Sequence, residues 1–222
     1  MSRQGIDTDL PSEHLTPLAA AVESVLAAHG YDVEATITAI DAAVPGIGGL
    51  FDPGTDAATL RDALEDVRAT EPSVEQAQAL TDGAAILYVD GSSRGNPGPA
   101  GAGAVIQDGD GETLVELGCP VGARTDNNTA EYVALYLGLT QLLSRFDPRT
   151  VEVRIDSMTV IRSVWEQQAD PGEAFREYRA AVVDVLAAIP AHDWTHLADS
   201  DPNPADALAT VGADIAELGP GG

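Results

Sequence analysis

A chain of 222 residues, 44% hydrophobic and 21% charged, is long enough for one sizeable core or a core with a small appendage, and no run approaches the roughly 18 apolar residues of a membrane span. Its 36 acids face 11 basic residues, all arginine, for a net charge of −25. That balance argues against charge-driven nucleic-acid binding, and the lack of lysine excludes a Walker phosphate loop, whose lysine must reach the terminal phosphates.

The acids are dispersed among periodic apolar positions, unlike a disordered acidic tail. The pattern is that of adaptation to molar salt, where the Debye length falls to about 3 Å and self-repulsion is screened; an acidic protein with basic partners is the alternative. The first residues have neither the basic start nor the apolar stretch of a signal peptide. The single cysteine, Cys119, has no thiol partner and reads as a small buried residue in a reducing compartment, so a cytoplasmic protein is expected.

In chain order, residues 12–30 carry helical periodicity and stop at Gly30, a C-terminal cap,. Residues 33–44 and 56–70 repeat that period around the loop PGIGGLFDPGT, which makes 1–72 a small helical domain. ATEPSVEQAQALTDG reads as a short helix or linker, with the linker drawn at 73–82. From residue 83 the pattern changes. AAILYVD is a buried strand, and GAGAVIQDGDGETLVELG is a hairpin broken at Asp108–Gly111,. A long helix NNTAEYVALYLGLTQLLSRF follows, then a strand TVEVRID, two helices, a last strand HDWTHL and a closing helix NPADALATVGADIAEL. Three strands before any helix predict a mixed sheet, an antiparallel meander leading into parallel crossovers.

The stretch ILYVDGSSRGNPGPAGAG (86–103) ends an apolar run on Asp90 and enters a glycine-rich loop. Its glycines miss the G-x-G-x-x-G spacing of a dinucleotide site. A carboxylate at the end of a buried run needs a cation, and with only Arg94 nearby a hard divalent ion is the economical answer, which in turn wants further carboxylates. Three stand at element ends: Glu131, Asp156 and Asp206. Each also has a structural reading. Glu131 suits a first helical turn, Asp156 a cap, and Asp206 follows Asn203 and Pro204 with capping spacing.

Together, YVDGSSRGNPGPAGAGAVI, NNTAEY, RIDS and the final H…NPADALA make residues 83–222 resemble ribonuclease H type 1. The resemblance implies a ribonuclease H-like α/β fold, a five-stranded mixed sheet flanked by helices. It also implies an endonuclease that cleaves the RNA strand of RNA/DNA hybrids, leaving 5′-phosphate and 3′-hydroxyl ends. In that family four carboxylates, matching Asp90, Glu131, Asp156 and Asp206, hold two Mg2+ or Mn2+ ions in a symmetric clamp for in-line displacement. Segments matching Ser93, Gly95 and Glu131 meet ribose 2′-hydroxyls, and residues matching Asn96, Asn127 and Asn128 line the minor groove. On this reading the loop glycines give room for the nucleic acid. Arg94 and Arg124 are candidate phosphate contacts with a solvated surface role as the alternative, and His196 is a candidate for assisting product release.

The sequence departs from the family pattern at several points. Asp126 stands just before the paired asparagines, where an anion would repel phosphate unless it turns away. The segment WEQQADPGEAFREYR is short and acidic, so the family's basic protrusion is missing; Trp165 and Trp194 are expected in the core. Residues 1–82 hold 15 acids and 3 arginines and do not resemble a basic hybrid-binding domain; a stabilising role or a protein partner is expected of them. The competing readings are another nuclease of the same fold, resolvase- or exonuclease-like, and a non-catalytic hybrid-binding module.

Overall fold

The computed structural model describes residues 10, 13–46, 48–69, 80–167, 170, 172–198 and 200–219. Three helices come first, α1 (Pro17–Ala28), α2 (Val33–Ala43) and α3 (Ala57–Ala69). Thr16 and Asp32 cap the first two by accepting from the N–H groups of Ala19 and Ala35, which satisfies donors that have no partner within the helix. Thr16 and Pro17 start α1 later than the periodicity over 12–30 suggests, since proline suits the first turn and no later one. Leu26, Ile40, Leu60 and Leu64 close a core between these helices, joined by Ile215 from the far end of the chain. The expected linker at 73–82 lies outside the described residues except for its last three, which enter a 3-10 turn at Thr81–Gly83.

The body that follows has five strands: β1 (Ala84–Ser93), β2 (Gly98–Asp108), β3 (Thr113–Thr125), β4 (Thr150–Ile155) and β5 (Ala191–His196). Helix α4 (Asn127–Arg145) connects β3 to β4. After β4 come a short α5 (Met158–Val160), which continues as a π turn over Ile161–Trp165, and α6 (Arg176–Leu186); α7 (Ala205–Ala216) closes the chain. The sheet order is β3-β2-β1-β4-β5. β1 runs antiparallel to β2 and parallel to β4, and β4 parallel to β5. This is the mixed sheet expected, with Leu87, Val89, Ile106, Val153 and Ile155 in the core beside Leu135 and Leu139 of α4. β1 continues past Asp90, because Gly91, Ser92 and Ser93 keep pairing with Ala102, Gly101 and Ala100.

β3 is an edge strand, and an edge leaves backbone groups unpaired. Here the N-terminal helices cover it. The Gly118 N–H donates to the Tyr31 carbonyl at 3.1 Å and the Ala123 N–H to the His14 carbonyl at 2.8 Å, while Asp32 bridges to Leu117. Side chains add to the seam. The Tyr178 hydroxyl donates to Glu13 at 2.8 Å, and the Arg145 guanidinium donates to the Gly30 carbonyl at 2.6 Å.

Candidate active site

Parallel neighbours β1 and β4 deliver Asp90 and Asp156 to the same end of the sheet, the end at which α/β sheets open a crevice,. Glu131, in α4, is buried beside them. One carboxylate oxygen from each of Asp90, Glu131 and Asp156 lies within 4.8 Å of the others. Asp206, exposed in the first turn of α7, stands outside that group but is close enough to act on Asp90 electrostatically.

Crowding shows in the acidities. Burial, then the charges of Asp156 and Asp206, push Asp90 up to about 7, because a desolvated carboxyl among like charges favours its neutral form. Burial raises Glu131 well above the ordinary range, with Asp156 and Asp90 adding to it, against softening by the Gly91 backbone N–H and the Asn127 amide. Asn127 Nδ2 donates to Glu131 Oε1 at 3.3 Å. Glu131 Oε2 is buried with no hydrogen-bond partner among the described residues. A carboxylate with one buried, unpartnered oxygen, clustered with two further carboxylates, fits a divalent cation, which takes hard oxygen donors that converge on one point,.

Glycines set the approach of the helices that carry these groups. A Cβ on Gly91 would lie 2.4 Å from the Glu131 nitrogen and 2.6 Å from the Ala130 carbonyl carbon, so α4 reaches β1 only because residue 91 has no side chain. On Gly103, which pairs with Asp90, a Cβ would lie 2.3 Å from the Ala205 carbonyl oxygen and 2.5 Å from the Ala209 nitrogen; on Gly101 it would lie 2.1 Å from the Ala213 nitrogen. The expectation that these glycines make room for nucleic acid is corrected here: Gly91, Gly101 and Gly103 make room for helices, and Gly98 is pressed against the Arg94 carbonyl. Gly95 alone of the five is open, at φ +101°, a conformation that favours glycine.

The remaining sequence candidates sort by their partners. The Ser93 hydroxyl donates to the Gly95 carbonyl and Asn96 is exposed at the loop tip. Arg94, a candidate phosphate contact, is bonded to Asp214 and lies 3.8 Å from Glu217, so α7 already occupies its charge. Arg124 is exposed at the end of β3, and Asn128 is half-buried at the start of α4. His196 ends β5 with Nε2 3.1 Å from the Asp156 carbonyl oxygen, beside the site rather than in a remote loop. Asp126 turns inward: its carboxylate caps α4, accepting from the Thr129 N–H and hydroxyl, both at 3.0 Å. The repulsion it threatened is thereby directed into the helix start. Trp194 is buried as expected, but Trp165, the last residue of the π turn, is 38% exposed; the two rings stack at 6.2 Å.

Residues 82–210 match the family model for RNase H. The chain is 34% identical over 203 residues to the ribonuclease HI of Halobacterium salinarum, covering 83% of this chain and 98% of that protein, more of the chain than the family match spans. It is 31% identical to the ribonuclease H of Polaromonas naphthalenivorans over 67% of this chain and 95% of the other. Among solved structures, the Halobacterium salinarum RNase H1 superposes with a TM-score of 0.55 at 33% identity, covering 59% of this chain and 98% of that one. LC11-RNase H1 in complex with an RNA/DNA hybrid gives 0.54 at 33% identity, covering 59% and 96%.

Proposed function

The chain belongs to the ribonuclease H family, and from that premise we propose that it is an endoribonuclease that hydrolyses the RNA strand of RNA/DNA hybrids, leaving 5′-phosphate and 3′-hydroxyl ends. The observation that carries this reading is the cluster of Asp90, Glu131 and Asp156, with one oxygen of each within 4.8 Å of the others and a buried Glu131 oxygen that has no partner among the described residues. Like charges are held together there at a cost that a bound cation offsets.

Asp90, Glu131 and Asp156 would hold divalent ions, with Asp206 completing the set for a second. Two Mg2+ or Mn2+ ions bound there would supply a water of lowered pKa and neutralise charge on the attacked phosphate and the departing 3′ oxygen. Asp90 stands on the central strand of the sheet, and Asn127 holds one Glu131 oxygen while the other is buried without a partner among the described residues. Around the set, Ser93, Gly95 and the exposed Asn96 offer short-range contacts to the ribose edge, with Asn127 and Asn128 beside the groove. Such contacts suit a chain of charge −25, since binding by counterion release collapses in salt. The lone cysteine, buried and free, fits a cytoplasmic setting. Helices α1 to α3, in a domain drawn at 1–72, would support the β3 edge of a catalytic domain drawn at 83–222.

The test is a labelled hybrid, duplex DNA and duplex RNA incubated in molar salt with Mg2+ or Mn2+, using wild type and Asp90→Asn. Cleavage confined to the RNA strand of the hybrid and lost in the variant is expected. Cleavage of DNA would point to another nuclease of this fold, and binding without cleavage to a hybrid-binding module.

A further inference from the structure

Asn203 lies outside the carboxylate set, yet it links both sides of it. Its Nδ2 donates to the Val89 carbonyl at 3.1 Å, one residue before Asp90. Its Oδ1 accepts from the Ala205 N–H at 3.1 Å, and its backbone carbonyl accepts from the Asp206 N–H at 3.2 Å. One half-buried residue therefore joins the strand that carries Asp90 to the helix turn that presents Asp206. The orientation of the amide is settled by its partners, since a carbonyl can only accept and a backbone N–H can only donate. Asparagine suits both bonds, whereas aspartate offers no donor to Val89 and serine lacks the reach to serve both partners.

The glycine contacts press α7 onto the sheet at Gly101 and Gly103, but flat backbone packing resists approach more than it resists sliding or rotation. The Asn203 bonds remove that freedom at the end where Asp206 stands. We infer that Asn203 is a positioning residue of the metal centre, one that sets Asp206 relative to Asp90 without touching ion or substrate. This inference rests on the metal-centre reading above, and its test includes a measurement that does not need activity.

Three variants separate the roles. Asn203→Ala removes both side-chain bonds, Asn203→Asp keeps the acceptor for Ala205 and loses the donor to Val89, and Asp206→Asn supplies the background for a double-mutant comparison. The first readout is the Mn2+ concentration that half-saturates the metal-induced rise in melting temperature. Asn203→Ala and Asn203→Asp should raise it by about tenfold, in the range found when groups that orient metal ligands are lost. The second readout is hybrid cleavage, where kcat should fall about 10- to 100-fold with KM changed less than about threefold. In the Asp206→Asn background, adding Asn203→Ala should cost less than about threefold, because both changes disable the same element. A drop in melting temperature with unchanged Mn2+ saturation, or kcat losses that multiply in the double variant, would overturn the proposal. A wild type that binds Mn2+ but cuts no hybrid would refute the functional reading instead, and the Mn2+ titration would still decide on Asn203.

Discussion

Replacing Gly103 by alanine puts one methyl group where β2 meets α7, and the outcome can be worked from the contact distances. The added carbon would lie 2.3 Å from the Ala205 carbonyl oxygen and 2.5 Å from the Ala209 nitrogen. An ordinary carbon–oxygen contact is about 3.4 Å, so the N-terminal turn of α7 must withdraw by roughly 1 Å. Both clashing atoms are backbone within a hydrogen-bonded helix, so no rotamer change can absorb the strain. Overpacking of this kind costs about 1–3 kcal/mol, which for a chain of this length lowers the melting temperature by roughly 3–10 °C. Asp206 rides on the same turn, and misplacement by about 1 Å can cost on the order of a hundredfold in rate. The assay is calorimetric melting in molar salt together with hybrid cleavage well below the variant's transition, at saturating Mn2+. A Gly103→Ala protein that melts within about 1 °C of wild type and keeps its rate within about twofold would refute the argument that this glycine seats the helix.

Three further outcomes follow from the same structure. In chelator, the melting temperature should fall as pH rises from about 5 to about 8. Asp90 binds a proton in the fold up to about 7 that the unfolded chain releases near 4, so the stability it contributes is full below the unfolded value and lost through the folded one; calorimetry of Asp90→Asn should show a shallower slope, and an equal slope would refute the assignment. Removing residues 1–72 uncovers the Gly118 and Ala123 N–H groups of β3 and the apolar surface around Ile215; light scattering should reveal association or aggregation, and a monomer with unchanged melting would argue against an edge-covering role. With 36 acids and 11 arginines, circular dichroism and cleavage should both improve from low to molar salt as repulsion is screened, and full folding and activity in low salt would sink the salt-adaptation reading.

What could be read from the sequence was local. The strand and helix order from Ala84 onward follows from periodicities and turns within short windows, and Asp90, Glu131 and Asp156 stood at the ends of the runs so read. Asp32 and Asp126 cap helices three residues away, a spacing visible in the chain itself. What tertiary structure decided lies across long separations. Arg94 meets Asp214, 120 positions on, and Asn203 meets Val89, 114 positions back. No periodicity encodes such a pair, because each partner is chosen by which surfaces the folded core brings together. The glycines of the opening loop show the same division. Their density marked a place of close approach, whereas the body that approaches, α4 at Gly91 and α7 at Gly101 and Gly103, was set by how the helices bury their apolar faces on the sheet.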